Sequence, residues 1–151
     1  MARTGARSVF IDANVLIYST FAASPLCSLA RGRLLEFERE GRTLWISRQV
    51  LREYLAATTR PGAIIPPPSK ETLIRTIHDF KARFAIADED DGVTTVLLEL
   101  LGSFGASGKQ VHDANIAATM CRYNIRDILT NNPTDFMRYT PRITVLPLCP
   151  T

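Results

Sequence analysis

The sequence predicts an α/β fold of three layers, α/β/α, with a parallel sheet of four or five strands. Two observations carry this. Short apolar runs rich in β-branched residues alternate along the chain with longer stretches of helical periodicity, the pattern of strands joined by crossover helices. Isolated acidic residues, Asp12 and Asp135, follow two of these runs, and sites in such sheets form beyond the carboxyl ends of the strands. At 151 residues, the chain is expected to form one domain, residues 1–151, around one core.

The elements follow in order. Ser8 to Ile11 is an apolar run that stops at Asp12 and reads as a buried strand. Asp12-Ala13-Asn14 opens a helical stretch from Val15 to Ala23, which Pro25 breaks. A second helix is expected from about Ser28 to Glu40, with Leu29, Leu34 and Phe37 on one face and Gly41 as its stop signal. Thr43 to Ile46 is the second strand, and Ser47 is the N-cap expected for a helix through Thr59, with Val50, Leu51, Tyr54 and Leu55 as its apolar stripe. Residues 60–68 hold four of the nine prolines and read as a loop. Ser69 caps a helix carrying Leu73, Ile74, Ile77 and Phe80, and Phe84 to Ala87 is a third strand. Gly92 to Phe104 is periodic, with Val93, Val96, Leu97, Leu100, Leu101 and Phe104 on one face. A glycine-bearing loop leads to a helix from His112 to Tyr123, a fourth strand from Asp127 to Leu129 and a last one from Ile143 to Leu146.

Composition narrows the functional classes. The hydrophobic content of 46% and charged content of 22% are ordinary for a globular protein. A net charge of +3 and a pI near 9.0 favour approach to a polyanion. Only Lys70, Lys81 and Lys109 are lysines, so arginine supplies most of the positive charge. Arginine suits bidentate phosphate contact, although genome bias explains the skew equally well. Cys27, Cys121 and Cys149 show no metal-site spacing, which fits reduced thiols in a cytoplasmic protein. The N-terminal stretch has Arg3 and Arg7 but no apolar signal-peptide core, and no segment approaches the length of a membrane helix.

Four motifs carry chemistry. In VFIDANVLIY, residues 9–18, Asp12 leaves a buried strand into a turn that Asn14 can hold, though an N-cap role alone would also place an aspartate there. In SRQVLREYL, residues 47–55, Glu53 interrupts an apolar stripe; alone, it reads as well as a surface carboxylate paired with Arg48 or Arg52. In VHDANIAATM, residues 111–120, the small residues after Asp113 let the helix approach the sheet closely, and His112 reads as a surface or hydrogen-bonded histidine. In ILTNNPTDF, residues 128–136, a strand ends at Thr130 and Asp135 precedes Phe136; an Asn-Pro turn accounts for the same residues without a site. The densest acidic run, Asp88 to Asp91, lacks the ligand spacing of a calcium loop and reads as a capping cluster at a helix N-terminus. Carboxylates gathered in one pocket repel unless a divalent cation lies between them. Hard oxygen donors suit Mg²⁺ or Mn²⁺.

The order and spacing of these segments resemble the PIN-domain ribonucleases, and most closely the VapC-type toxins of bacterial toxin–antitoxin pairs. The resemblance covers nearly the whole chain and rests on Asp12 with Asn14, Glu53, Asp113 in HDANIAA, TNNPTDF and the closing ITVLP. It implies a metal-dependent endoribonuclease that hydrolyses RNA with a metal-activated water. The implied acidic site is Asp12, Glu53, Asp113 and a fourth position shared between Asn132 and Asp135, with Asp135 bearing the charge; Asn14 and Thr130 would support it. The resemblance further implies a homodimer and a small antitoxin partner. Helices 26–40 and 49–59 and the proline-rich loop are candidate contact surfaces, and Arg48 and Arg52 are candidates for RNA-backbone contact. Two other classes compete. A PIN-like module that binds RNA or protein without cleaving keeps the fold, and Asn132 is compatible with it. An aspartate-based phosphatase needs a second aspartate where Asn14 stands and a lysine or arginine late in the chain, and a receiver domain needs a phosphoacceptor aspartate on a central strand and a late lysine; no lysine follows Lys109.

Overall fold

A computed structural model describes residues 7–150. Arg3 and the signal-peptide reading of the first six residues lie outside the described residues. The three-layer α/β/α architecture is borne out, with five strands: β1 (Ser8–Ile11), β2 (Thr43–Ser47), β3 (Ala85–Ala87), β4 (Asp127–Thr130) and β5 (Thr144–Pro147). Six helices join them: α1 (Ala13–Thr20), α2 (Cys27–Arg39), α3 (Arg48–Thr59), α4 (Lys70–Arg83), α5 (Asp91–Phe104) and α6 (Gln110–Arg122). The sheet order is β3-β2-β1-β4-β5 and every neighbouring pair is parallel. Val9 lies between Leu44 and Asp127, and Phe10 between Trp45 and Ile128, so β1 is central. All four of its residues are buried, as expected of a strand covered on both faces.

This order fixes the layers. Crossovers between parallel strands are right-handed, so the outward walk from β1 to β3 and the return to β4 put their helices on opposite faces. Helices α1 to α4 therefore cover one face, and α5 with α6 covers the other. The strand order reverses between β1 and β4, which opens a crevice beyond their carboxyl ends. At the opposite end of the sheet, Arg42 pairs with Asp127 and donates to the Ser8 carbonyl, while its guanidinium lies 4.8 Å from the centre of the Phe37 ring.

The expected caps form. Ser47 Oγ accepts from the Val50 N–H at 3.3 Å, Ser69 Oγ from the Thr72 N–H at 3.1 Å and Asp90 Oδ1 from the Val93 N–H at 3.0 Å. Gly41 and Gly105 close α2 and α5 with positive φ of 74° and 66°. Several elements have other bounds than the sequence reading gave, and one expected core residue is exposed. Helix α1 begins at Ala13 and ends at Thr20, where Phe21 turns extended, so it stops well before Pro25. Helix α6 begins two residues before His112. Ile74 faces solvent at 60% exposure because α4 buries only Leu73 and Phe80 deeply. Strand β5 starts after Ile143 and includes Pro147, which an edge strand tolerates.

The buried residues form one contiguous cluster running from Val9 to Leu148 through all five strands' surroundings. Among the described residues, no helix is long and apolar enough to cross a membrane. Cys27, Cys121 and Cys149 are free thiols.

Candidate active site

Asp12 is placed by the end of β1. Its N–H donates to the Leu129 carbonyl at 3.1 Å, which continues the β1–β4 ladder one residue past the strand. Its carboxylate is 7% exposed and turns back to cap α1: Oδ1 accepts from the Ala13 N–H at 2.8 Å. Oδ2 accepts from Thr130 Oγ1 at 2.7 Å and from the Asn14 amide at 3.1 Å. The N-cap and site readings of Asp12 are thus compatible, since capping uses Oδ1 while Oδ2 meets Thr130 and Asn14.

The end of β4 is locked to the same turn. Asn14 Oδ1 accepts from the Asn131 N–H at 3.1 Å, and Thr130 Oγ1 accepts from the Asn132 N–H at 3.0 Å. Asn14 and Thr130 therefore act as braces around Asp12. Asn132 enters through its backbone, and its side chain is exposed. After it, two short 3-10 turns, Pro133–Asp135 and Met137–Tyr139, form where a loop was expected. Phe136, 1% exposed, anchors them and leaves Asp135 exposed at the crevice rim.

Asp113 lies in the first turn of α6, and Glu53 in the middle of α3. The four acids lie near enough for their charges to act on one another. Burial, then the charges of Asp135, Asp12 and Glu53, push the Asp113 carboxyl up to about 7, with Arg138 opposing them. Burial also raises Asp12 to about 6; the bonds from Thr130, Ala13 and Asn14 counter this and the Glu53 charge adds to it. Groups 22 to 101 residues apart in sequence thus repel one another.

Glu53 is held from its own helix. Gln49, one turn earlier and 5% exposed, donates to Glu53 Oε1 at 2.7 Å and to the His112 carbonyl at 2.9 Å. Gln49, Arg52, Glu53, Ala56 and His112 line a cleft of about 250 Å³. His112 contributes backbone to this contact, and its exposed ring matches the surface reading.

Two sequence expectations need correction. Arg48 and Arg52 do not pair with Glu53. Arg48 pairs with Asp88 at 2.8 Å and Arg52 with Glu89 at 3.5 Å. The acidic run is accordingly only half a capping cluster: Asp90 caps α5 and Asp91 lies in its first turn, while Asp88 and Glu89 bind α3 to the loop before α5. Sequence reasoning missed Gln49, Asn115 and Arg138. For Gln49, the available signal was a polar residue four positions before Glu53 on an otherwise apolar face.

The donor set consists of carboxylate oxygens with excess negative charge, which fits a hard divalent cation. Among the described residues, no three His, Cys, Asp or Glu side chains are drawn closely enough together to ligate one ion. The acids share a field without a common contact point.

The profile of the PIN domain matches residues 9–140. The chain belongs to the PIN domain family. Solved structures of similar fold include the VapBC2 complex of Rickettsia felis bound to a promoter DNA fragment, with 22% identity, a TM-score of 0.67 and coverage of 93% of this chain and 98% of that one. DNA-bound VapBC of Salmonella typhimurium follows at 21% identity and a TM-score of 0.66, covering 94% and 98%. Mycobacterium tuberculosis VapC20, described as a toxin that cleaves the sarcin-ricin loop, is similar at 14% identity and a TM-score of 0.60, covering 80% and 86%. No curated protein gives a significant sequence match. In this PIN domain, Asp12 and Thr130 flank the reversal of strand order, and Asp113 and Glu53 lie on helices of opposite layers.

Proposed function

We propose that this PIN domain is a Mg²⁺- or Mn²⁺-dependent endoribonuclease and the toxin of a type II toxin–antitoxin pair. The observation that carries this reading is that the charges of Asp12, Glu53 and Asp135 act on Asp113, and that of Glu53 on Asp12, near the crevice where the strand order reverses. Arg138 opposes these charges at Asp113. Asp12, Glu53 and Asp113 would hold the ion, with Asp135 completing the set. The bound ion supplies Lewis acidity for activating water and stabilising charge on a phosphodiester. The protein orients the acids: Thr130 and Asn14 fix Asp12, and Gln49 fixes Glu53. The net charge of +3 favours RNA approach.

The partner assignment draws on the fold neighbours, whose structures are toxin–antitoxin complexes. Two apolar cavities of about 380 and 290 Å³ flank the proline-rich loop and share Ile64 and Ile65. Ile65 is 80% exposed. That surface suits an apolar segment of a small antitoxin, and the reading includes a homodimer in the cytoplasm.

The deciding experiment is RNA cleavage by purified protein with Mg²⁺ or Mn²⁺ and with EDTA, beside Asp12→Asn and Asp113→Asn. Cleavage requiring the ion and both aspartates is expected. Absence of both cleavage and Mn²⁺ binding would replace this reading with a non-cleaving RNA- or protein-binding module.

A further inference from the structure

A hydrogen-bonded chain runs outward from Glu53 and lies outside the four acids. Gln49 Nε2 donates to Glu53 Oε1 at 2.7 Å and to the His112 carbonyl at 2.9 Å. Gln49 Oε1 accepts from Asn115 Nδ2 at 2.7 Å, and the same Asn115 amide donates to Glu89 Oε1 at 2.8 Å. Glu89 meets Arg52 on the surface at 3.5 Å. The direction of every bond is forced. Carboxylates stand at both ends and can only accept, so each amide must present its NH₂ toward a carboxylate. Both hydrogens of Gln49 and both of Asn115 are thereby used.

We infer that Gln49 and Asn115 are positioning residues that hold Glu53 with one carboxylate oxygen engaged and the other left for a divalent cation. This rests on the metal-dependent reading above. Gln49 bonds only one oxygen of Glu53, and among the described residues no other side chain hydrogen-bonds that carboxylate. Asn115 lies two residues after Asp113 on α6, so the link ties the helix of one acid to the helix of another. The two helices lie on opposite faces of the sheet, and their relative placement sets the spacing of Glu53 and Asp113. The pairing also explains why Gln49 is buried at low cost, since both its N–H groups and its carbonyl oxygen have partners. Outer partners that orient a ligand this way typically govern about 10- to 100-fold in metal affinity.

The test is Mn²⁺ affinity by calorimetry on folded protein, with thermal unfolding recorded on the same samples. The variants are Asn115→Ala, Asn115→Asp, Gln49→Ala and the double alanine variant. Asn115→Asp keeps the shape but gives Gln49 Oε1 no donor. Each single variant is expected to weaken Mn²⁺ binding about 10- to 100-fold, and the double variant by no more than Gln49→Ala alone, because the two act as one unit. At saturating Mn²⁺, KM for RNA is expected to stay unchanged. Asn115 is half-buried and carries the test if Gln49→Ala does not fold. A folded Asn115→Ala or Asn115→Asp protein binding Mn²⁺ like wild type would overturn the inference, even if it melts at lower temperature. Wild-type protein with no Mn²⁺ affinity, indistinguishable from Asp12→Asn, would instead overturn the parent reading and this one with it.

Discussion

Thr130 Oγ1 donates to Asp12 Oδ2 at 2.7 Å, joining the carboxyl ends of β4 and β1 across 118 positions of sequence. The bond sits at the reversal of strand order and is fully buried on the Thr130 side. It favours the charged form of Asp12 against the burial that disfavours it. Without it, Oδ2 keeps only the 3.1 Å contact from Asn14.

Thr130→Val keeps the volume and deletes this donor. The Asp12 carboxyl should then titrate higher than about 6, and Mn²⁺ binding and RNA cleavage should begin at higher pH than in wild type. The lost hydrogen bond should also cost about 1–3 kcal/mol of stability. A pH series of Mn²⁺ affinity, with urea unfolding, checks both; an unshifted pH midpoint would refute the role assigned to Thr130.

The raised carboxyls make a prediction about metal-free stability. Asp12 has a folded value near 6, above its ordinary 3.8, so the folded state binds more protons in that interval. Stability from this group is greatest below the unfolded value and falls as pH rises through about 6. Asp113 extends the decline to about 7. Asp12→Asn lacks the first of these slopes. Its Tm relative to wild type, in EDTA, should climb between about pH 4 and 7 by an amount corresponding to roughly 2–3 kcal/mol. Excess Mg²⁺ should stabilise wild type above pH 7 and leave Asp12→Asn unmoved. A flat Tm difference across that window would show that burial does not perturb Asp12.

Ile128 is fully buried in β4, opposite Phe10 of the central strand. Ile128→Ala should lower stability by about 2–5 kcal/mol, through lost burial and the cavity left behind. Chemical denaturation measures this. Surviving folded protein should keep its metal affinity, because Ile128 touches the site only through the strand.

The local features were legible in the chain. The run SVFI marked β1, Ser47, Ser69 and Asp90 marked helix starts, and the apolar period of α5 marked its length, because each depends on neighbours within one or two turns. Asp12, Glu53, Asp113 and Asp135 stood out as acids set among apolar residues, and the family resemblance set them in order. The 3-10 turns around Phe136 were not legible, since they depend on where that ring is buried.

Only the tertiary structure decided which charges meet. The sheet order puts β4 beside β1, so Thr130 reaches Asp12, and the two helical layers bring Asn115 to Gln49. Arg48 and Arg52 look in sequence like partners for Glu53, yet they pair with Asp88 and Glu89. Sequence periodicity specifies which face of an element is apolar; it does not specify the crossover that carries one element past another. Long-range polar pairing depends on that crossover, and so the braces and the spacing of the acids became visible only in the folded chain.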